Sequence, residues 1–192
     1  MVENFVDYLI QTDSLEKKYR ENAIYGLTVA IEKIIAYSVL LCSAFFVGKI
    51  LEGVLFIVPF LVLRQMTGGF HAKTIWGCLV GSTITMLLAL QIICPLVEKH
   101  EIVYGILFFL SIVCIICFAP VNHPNLMLTE EEQKHLRLQS RIVLGIEIGI
   151  ITIGYILHMR WQQYIVIAII ICAVFILLSK LLRQEVLKNE EK

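Results

Sequence analysis

The stretch IVYGILFFLSIVCIICFAP at positions 102–120 runs for nineteen residues without a charge. About 20 apolar residues span the hydrocarbon core of a bilayer, so this run predicts a membrane helix. The same character recurs on either side of it, at 27–47, 51–63, 74–97, 142–157 and 161–179. Six such segments predict an all-α, polytopic membrane protein. The second segment is short. Its thirteen residues reach roughly 20 Å as a helix, so it is expected either to be re-entrant or to cross a thinned region. Linkers 98–101 and 158–160 are brief enough to make helical hairpins.

Composition agrees. Of 192 residues, 58% are hydrophobic and 17% charged, and mean hydropathy is +0.82. Soluble domains average about 45–50% and 25%. Sixteen basic and sixteen acidic residues cancel, which removes the charge excess of a nucleic-acid binder. Cys42, Cys94, Cys114 and Cys172 lie inside apolar runs and Cys117 closes one, so no disulfide framework is read. Six spans leave no length for a soluble catalytic domain, and a single integral-membrane domain over 1–192 is expected. Met1 to Arg20 mixes acidic and basic residues and shows no cleavable signal pattern, so no removable targeting segment is expected there. There Phe5, Val6, Tyr8, Leu9 and Leu15 could share one face of a surface helix, or belong to a plain cytoplasmic tail.

Orientation follows from Lys and Arg. With all six segments crossing and both termini cytoplasmic, twelve of the sixteen lie inside. Only Lys49, Lys99 and Arg160 lie outside, with Lys33 inside the first span. The long loop 121–141 and the tail 180–192 are then cytoplasmic. Within that loop Thr129 reads as a helix N-cap and Glu132 as its capping-box partner.

This orientation puts RQMTGGFHAKTIWGC, positions 64–78, on the cytoplasmic side. Gly68-Gly69 breaks the helix, and His71 follows within a polar stretch of Arg64, Gln65, Thr67 and Lys73. On one continuous helix His71 and Cys78 would be about 10.5 Å apart along the axis, too far to bond. A helix beginning near Thr74 would instead leave His71 in a loop that folds back over the first turns. A Cys–His pair then becomes available: a thiolate nucleophile favoured by His71, Lys73 and a helix N-terminus, with histidine as acid and base. Backbone N–H groups around Gly68 and Gly69 could hold an oxyanion. The plainer reading makes the histidine an interfacial cap and the cysteine small apolar filling.

The pattern Arg64-x-x-x-Gly68-Gly69-x-His71-Ala72 followed by Cys78, early in a small polytopic protein, resembles the accessory gene regulator B (AgrB) family. These are membrane cysteine endopeptidases of Gram-positive quorum sensing. The resemblance implies Cys78 as nucleophile and His71 as general base. Arg64, Gly68 and Gly69 would support the site, with Lys73 beside them. It implies an AgrD-like propeptide substrate, cleaved through a thioester that passes on to a cyclic thiolactone or lactone. It also implies a homodimer in the cell membrane, with membrane lipids around it. No cofactor or metal is called for, and no nucleic acid.

Other polar features have quieter readings. Cys114 and Cys117 have CxxC spacing but lie in an apolar run, which favours packing. His123 and His135 could join Cys78 at a metal only without any supporting ligand spacing. Glu147 inside the fifth segment is expected to find a partner, for which Lys33 or Arg64 could serve, or to be protonated, with a structural ion pair favoured over a catalytic role. Gly145, Gly149 and Gly154 permit close helix contact. A small transporter or a membrane scaffold would also explain six spans and Glu147, but would need neither His71 nor Cys78.

Overall fold

The computed structural model describes residues 2–12, 14, 16–69, 74–97, 99–121 and 129–182. Every regular element in them is helical: α1 (Val2–Gln11), α2 (Arg20–Phe46), α3 (Ile50–Thr67), α4 (Ile75–Leu88), α5 (Cys94–Val97), α6 (Glu101–Phe118), α7 (Glu130–Ile156) and α8 (Gln162–Leu181). A π-helical turn, Ala89–Ile93, joins α4 to α5 in one span. Hydrocarbon offers backbone N–H and C=O groups no partner, so helices that satisfy their own are the solution for runs this apolar.

Among the described residues five helices are long and apolar enough to cross a membrane: Lys17–Phe46, Ile50–Thr67, Trp76–Val97, Glu101–Phe118 and Gln162–Leu181. The chain is an all-α, multi-pass membrane protein. Two details of the expected layout change. The second segment does not stop at Leu63 but continues to Thr67, giving about 27 Å of helix; it is long enough to cross. The fifth segment is not a helix of its own. It forms the second half of α7, whose first half is the charged stretch after Thr129, and α7 is not among the five. The capping box is present as expected: Thr129 Oγ1 accepts from Glu132 N–H at 3.3 Å, and Thr129 N–H donates to Glu132 Oε2 at 2.8 Å.

The core gathers around α8. It packs chiefly on α3 and α6, and α7 packs on both α3 and α8. Ile165, Ile167, Ala168, Ile169, Cys172, Ala173 and Ile176 of α8 are all buried. The other helices keep many apolar side chains outward, among them Ile34, Phe46, Ile102, Phe109 and Ile146, as helices facing lipid do. By the start of α3, helices α2, α3 and α4 meet closely. Gly53 leaves room for Ala44 there, and Lys49 Nζ donates to the Leu90 carbonyl in the π turn at 2.7 Å.

The N-terminal helix α1 folds back on α2. Val6 is fully buried, and Arg20 grips Asp7 through two bonds of 2.7 and 3.0 Å. Phe5 and Tyr8 stay exposed, so the expected apolar face is divided between α2 and the outside.

Candidate active site

The first half of the motif closes α3. Gly68 N–H donates to Arg64 O at 3.1 Å, ending the helix on a residue with φ +65°. Gly69 follows at φ +117°. Both values belong to glycine. Space demands it as well: a Cβ on Gly68 would come within 2.8 Å of the Val121 carbonyl oxygen. On Gly69 it would strike the Arg64 guanidinium and approach the Phe175 backbone to 3.2 Å.

Arg64 organises this turn. Its Nη1 donates to the Gly68 carbonyl, and its guanidinium lies over the Phe175 ring, 5.2 Å from the centroid. A planar cation suits both contacts, since it can fork towards an oxygen while stacking on an aromatic face. The turn is also tied to the chain beyond α6, where Val121 N–H donates to Thr67 O at 2.9 Å. The ends of α3 and α6 and the Phe175 turn of α8 therefore meet at the Gly-Gly turn.

The second half of the motif opens α4. Thr74 is the N-cap, its hydroxyl accepting from Gly77 N–H at 3.1 Å. Cys78 N–H donates to Thr74 O at 3.0 Å, and Ser82 Oγ to the Cys78 carbonyl at 2.8 Å. The Cys78 thiol is free and exposed. The helix start near Thr74 inferred from the sequence is where α4 begins. Arg64 lies within electrostatic reach of both the Cys78 and Cys172 thiols, so a fixed cation and an exposed thiol share one end of the bundle. His71 and Lys73 lie outside the described residues, as does His123; the expected Cys–His pairing falls there. Among the expected backbone donors Gly68 already uses its N–H to close α3, which leaves that of Gly69.

The family model for accessory gene regulator B matches residues 2–180. The chain belongs to the AgrB family. No curated protein matches it, and no solved structure does either. Membership supports a part in agr quorum-sensing peptide processing, and the match takes in every helix from α1 to α7 and most of α8.

Several neighbours of the AgrB-like motif carry no signal in the sequence. Phe175 and Val121 are far from it along the chain and read only as apolar residues. Cys172, buried with its Sγ 3.7 Å from the Phe60 carbonyl, reads the same way. Glu147 departs from expectation. It is 5% exposed, and among the described residues it forms no ion pair with Lys33, Arg64 or any other cation. Its Oε2 has no hydrogen-bond partner there. Arg64 turns to Gly68 and Phe175 instead, and Lys33 sits on α2, which does not pack substantially on α7.

Proposed function

We propose that the chain is a membrane cysteine endopeptidase that cleaves an AgrD-like propeptide C-terminal to its signal segment. The observation carrying this reading is the exposed Cys78 thiol on the first turns of α4, at the end where Arg64 secures the Gly68-Gly69 turn. In the first step the Cys78 thiolate attacks the scissile carbonyl carbon. The C–N bond then breaks, His71 gives its proton to the leaving amine, and an acyl-thioester remains on Cys78. In the second step a Cys thiol or Ser hydroxyl within the peptide attacks that thioester, losing its proton to His71. Cys78 is released and a thiolactone or lactone is closed.

In this reading the site sits at a membrane edge, which favours this outcome over hydrolysis, because transfer to a peptide side chain needs restricted water. A thioester also retains the acyl activation that the ring bond requires. Under the same proposal Gly69 N–H, which is not used to close α3, serves as the backbone donor to the developing oxyanion. In this reading Lys73 adds positive charge beside the thiolate, both termini and the site are cytoplasmic, and the protein acts as a homodimer. The Gram-positive cell membrane is its location.

The test is cleavage of a cognate propeptide by the full chain in proteoliposomes, followed by mass spectrometry. Cys78→Ala and His71→Ala, each checked for folding, are expected to abolish cleavage, and the native chain to yield a Cys78-linked acyl adduct. Undiminished cleavage by Cys78→Ala would overturn the reading and favour a non-proteolytic transporter or scaffold.

A further inference from the structure

Helices α6 and α7 follow one another in the chain yet pack chiefly on α8 and α3 rather than on each other. A lateral groove of about 370 Å³ is left between them, lined by Ile116, Arg141, Leu144, Gly145 and Ile148. Its walls are hydrocarbon except at one end. There Arg141, exposed, extends Nη2 to the Ile116 carbonyl at 3.5 Å, the outer limit of a hydrogen bond. That carbonyl is open to a side chain because residue 120, the helical donor it would otherwise meet, is Pro120 and has no N–H. Among the described residues the guanidinium has no other hydrogen bond and no ion pair.

We propose that this groove binds one anionic phospholipid, its phosphate on Arg141 and an acyl chain along Leu144, Gly145 and Ile148. The charge pattern continues beyond the groove in the right direction. Lys134, Arg137, Arg141, Gly145 and Ile148 are spaced three or four apart, which places them on one face of α7. That face is basic and exposed at its N-terminal end and apolar where it lines the groove. A lipid has the same order, head then tail. The acidic residues Glu130–Glu132 of α7 lie nine residues or more before Arg141, about 14 Å along the axis, clear of a headgroup held there.

Chemistry separates the lipid from its rivals. An apolar helix of a second copy would cover the walls but bring no anion to Arg141. A soluble acidic peptide would meet Arg141 but gain nothing from the hydrocarbon walls.

The test is native mass spectrometry of the full chain from micelles holding equal phosphatidylglycerol and phosphatidylcholine; the readout is retained lipid, so it stands apart from the peptidase reading. One cation at an anionic lipid contributes about fivefold in affinity, and the native chain is expected to retain one phosphatidylglycerol with roughly that preference. Arg141→Gln is expected to remove the preference. Gly145→Phe, whose side chain would enter open space in the groove, is expected to remove retention of either lipid, while Ile150→Phe, at an exposed position on another face of the same helix, keeps it. A short-chain phosphatidylglycerol should be held more weakly than the long-chain form. Equal retention of both lipids by the native chain, or native retention in Gly145→Phe, overturns the proposal. So does loss of a dimer mass in Gly145→Phe with lipid retention unchanged, which would give the groove to a second copy.

Discussion

Arg64 is the residue on which the Gly68-Gly69 end of the bundle turns, and its contacts separate charge from shape. Arg64→Lys keeps the cation but loses the planar fork on the Gly68 carbonyl and the stack on Phe175. If placement of the turn matters, cleavage falls at least tenfold in Arg64→Lys while membrane insertion is unchanged; a lysine variant with native turnover would mean that charge alone suffices. Gly69 makes the complementary case. Gly69→Ala must hold φ near +117° and push aside Arg64 and the Phe175 backbone, at a cost of about 1–3 kcal/mol. Thermal unfolding in detergent should show a lower midpoint for Gly69→Ala than for Gly81→Ala, where a Cβ meets nothing. The motif was legible in the sequence because its chemistry is local: a glycine pair, a cation one turn before it, a cysteine at a helix start. Its supports were not. Phe175 and Val121 touch the turn through tertiary packing, and an apolar residue in an apolar run does not announce which neighbour it meets.

At the scale of elements, two contacts made by side chains set where helices sit. The π turn Ala89–Ile93 has its mark just beyond it in the sequence, where Pro95 has no N–H to give back to the turn and leaves the Leu90 carbonyl without its i+5 donor. Lys49 accounts for part of its stability, through the bond to the Leu90 carbonyl. Lys49→Met leaves that carbonyl without the ammonium and should cost about 1–3 kcal/mol, read as faster amide exchange across 89–93 with little change in α8. The second contact is electrostatic. Arg20 beside Asp7 holds that carboxyl below its ordinary value, so the folded state keeps Asp7 charged to a lower pH than the unfolded one. The sign follows: the contribution is complete above the ordinary carboxylate range near 3.8 and disappears as pH falls through the lower folded value. Proteolysis between α1 and α2 should therefore be slow at pH 6, quicken below about pH 4, and be quick throughout in Asp7→Asn. The length of α3 has a similar local cause. An apolar count ends at Leu63, yet the helix continues because Arg64 can fold its own side chain over the C-terminal carbonyl of Gly68. A polar residue at a membrane edge ends the hydrophobic run without ending the helix.

For the whole molecule, the sidedness of the chain depends on α7. Apolar runs showed most of the crossings because hydrophobicity is carried by each segment alone. Whether α7 crosses is a different kind of question: Glu147 is buried there with no ion pair among the described residues, and only the surrounding helices make that tolerable. Five crossings would put the termini on opposite sides. Six return the C-terminus to the side of α1 and keep twelve of the sixteen basic residues on the cytoplasmic face, as the positive-inside preference requires. The burial of Leu144, Ile151 and Gly154 along the later turns of α7, packed on α3 and α8, favours the second arrangement, since those two helices cross. Epitope tags at the two ends, probed in intact and opened cells, decide it. Both tags should be reached only after opening, and a tag inserted at His158, between α7 and α8, should be reached from outside. A C-terminal tag accessible in intact cells would leave α7 on one side of the bilayer, and would put Arg141 and its groove at the surface instead of within the hydrocarbon.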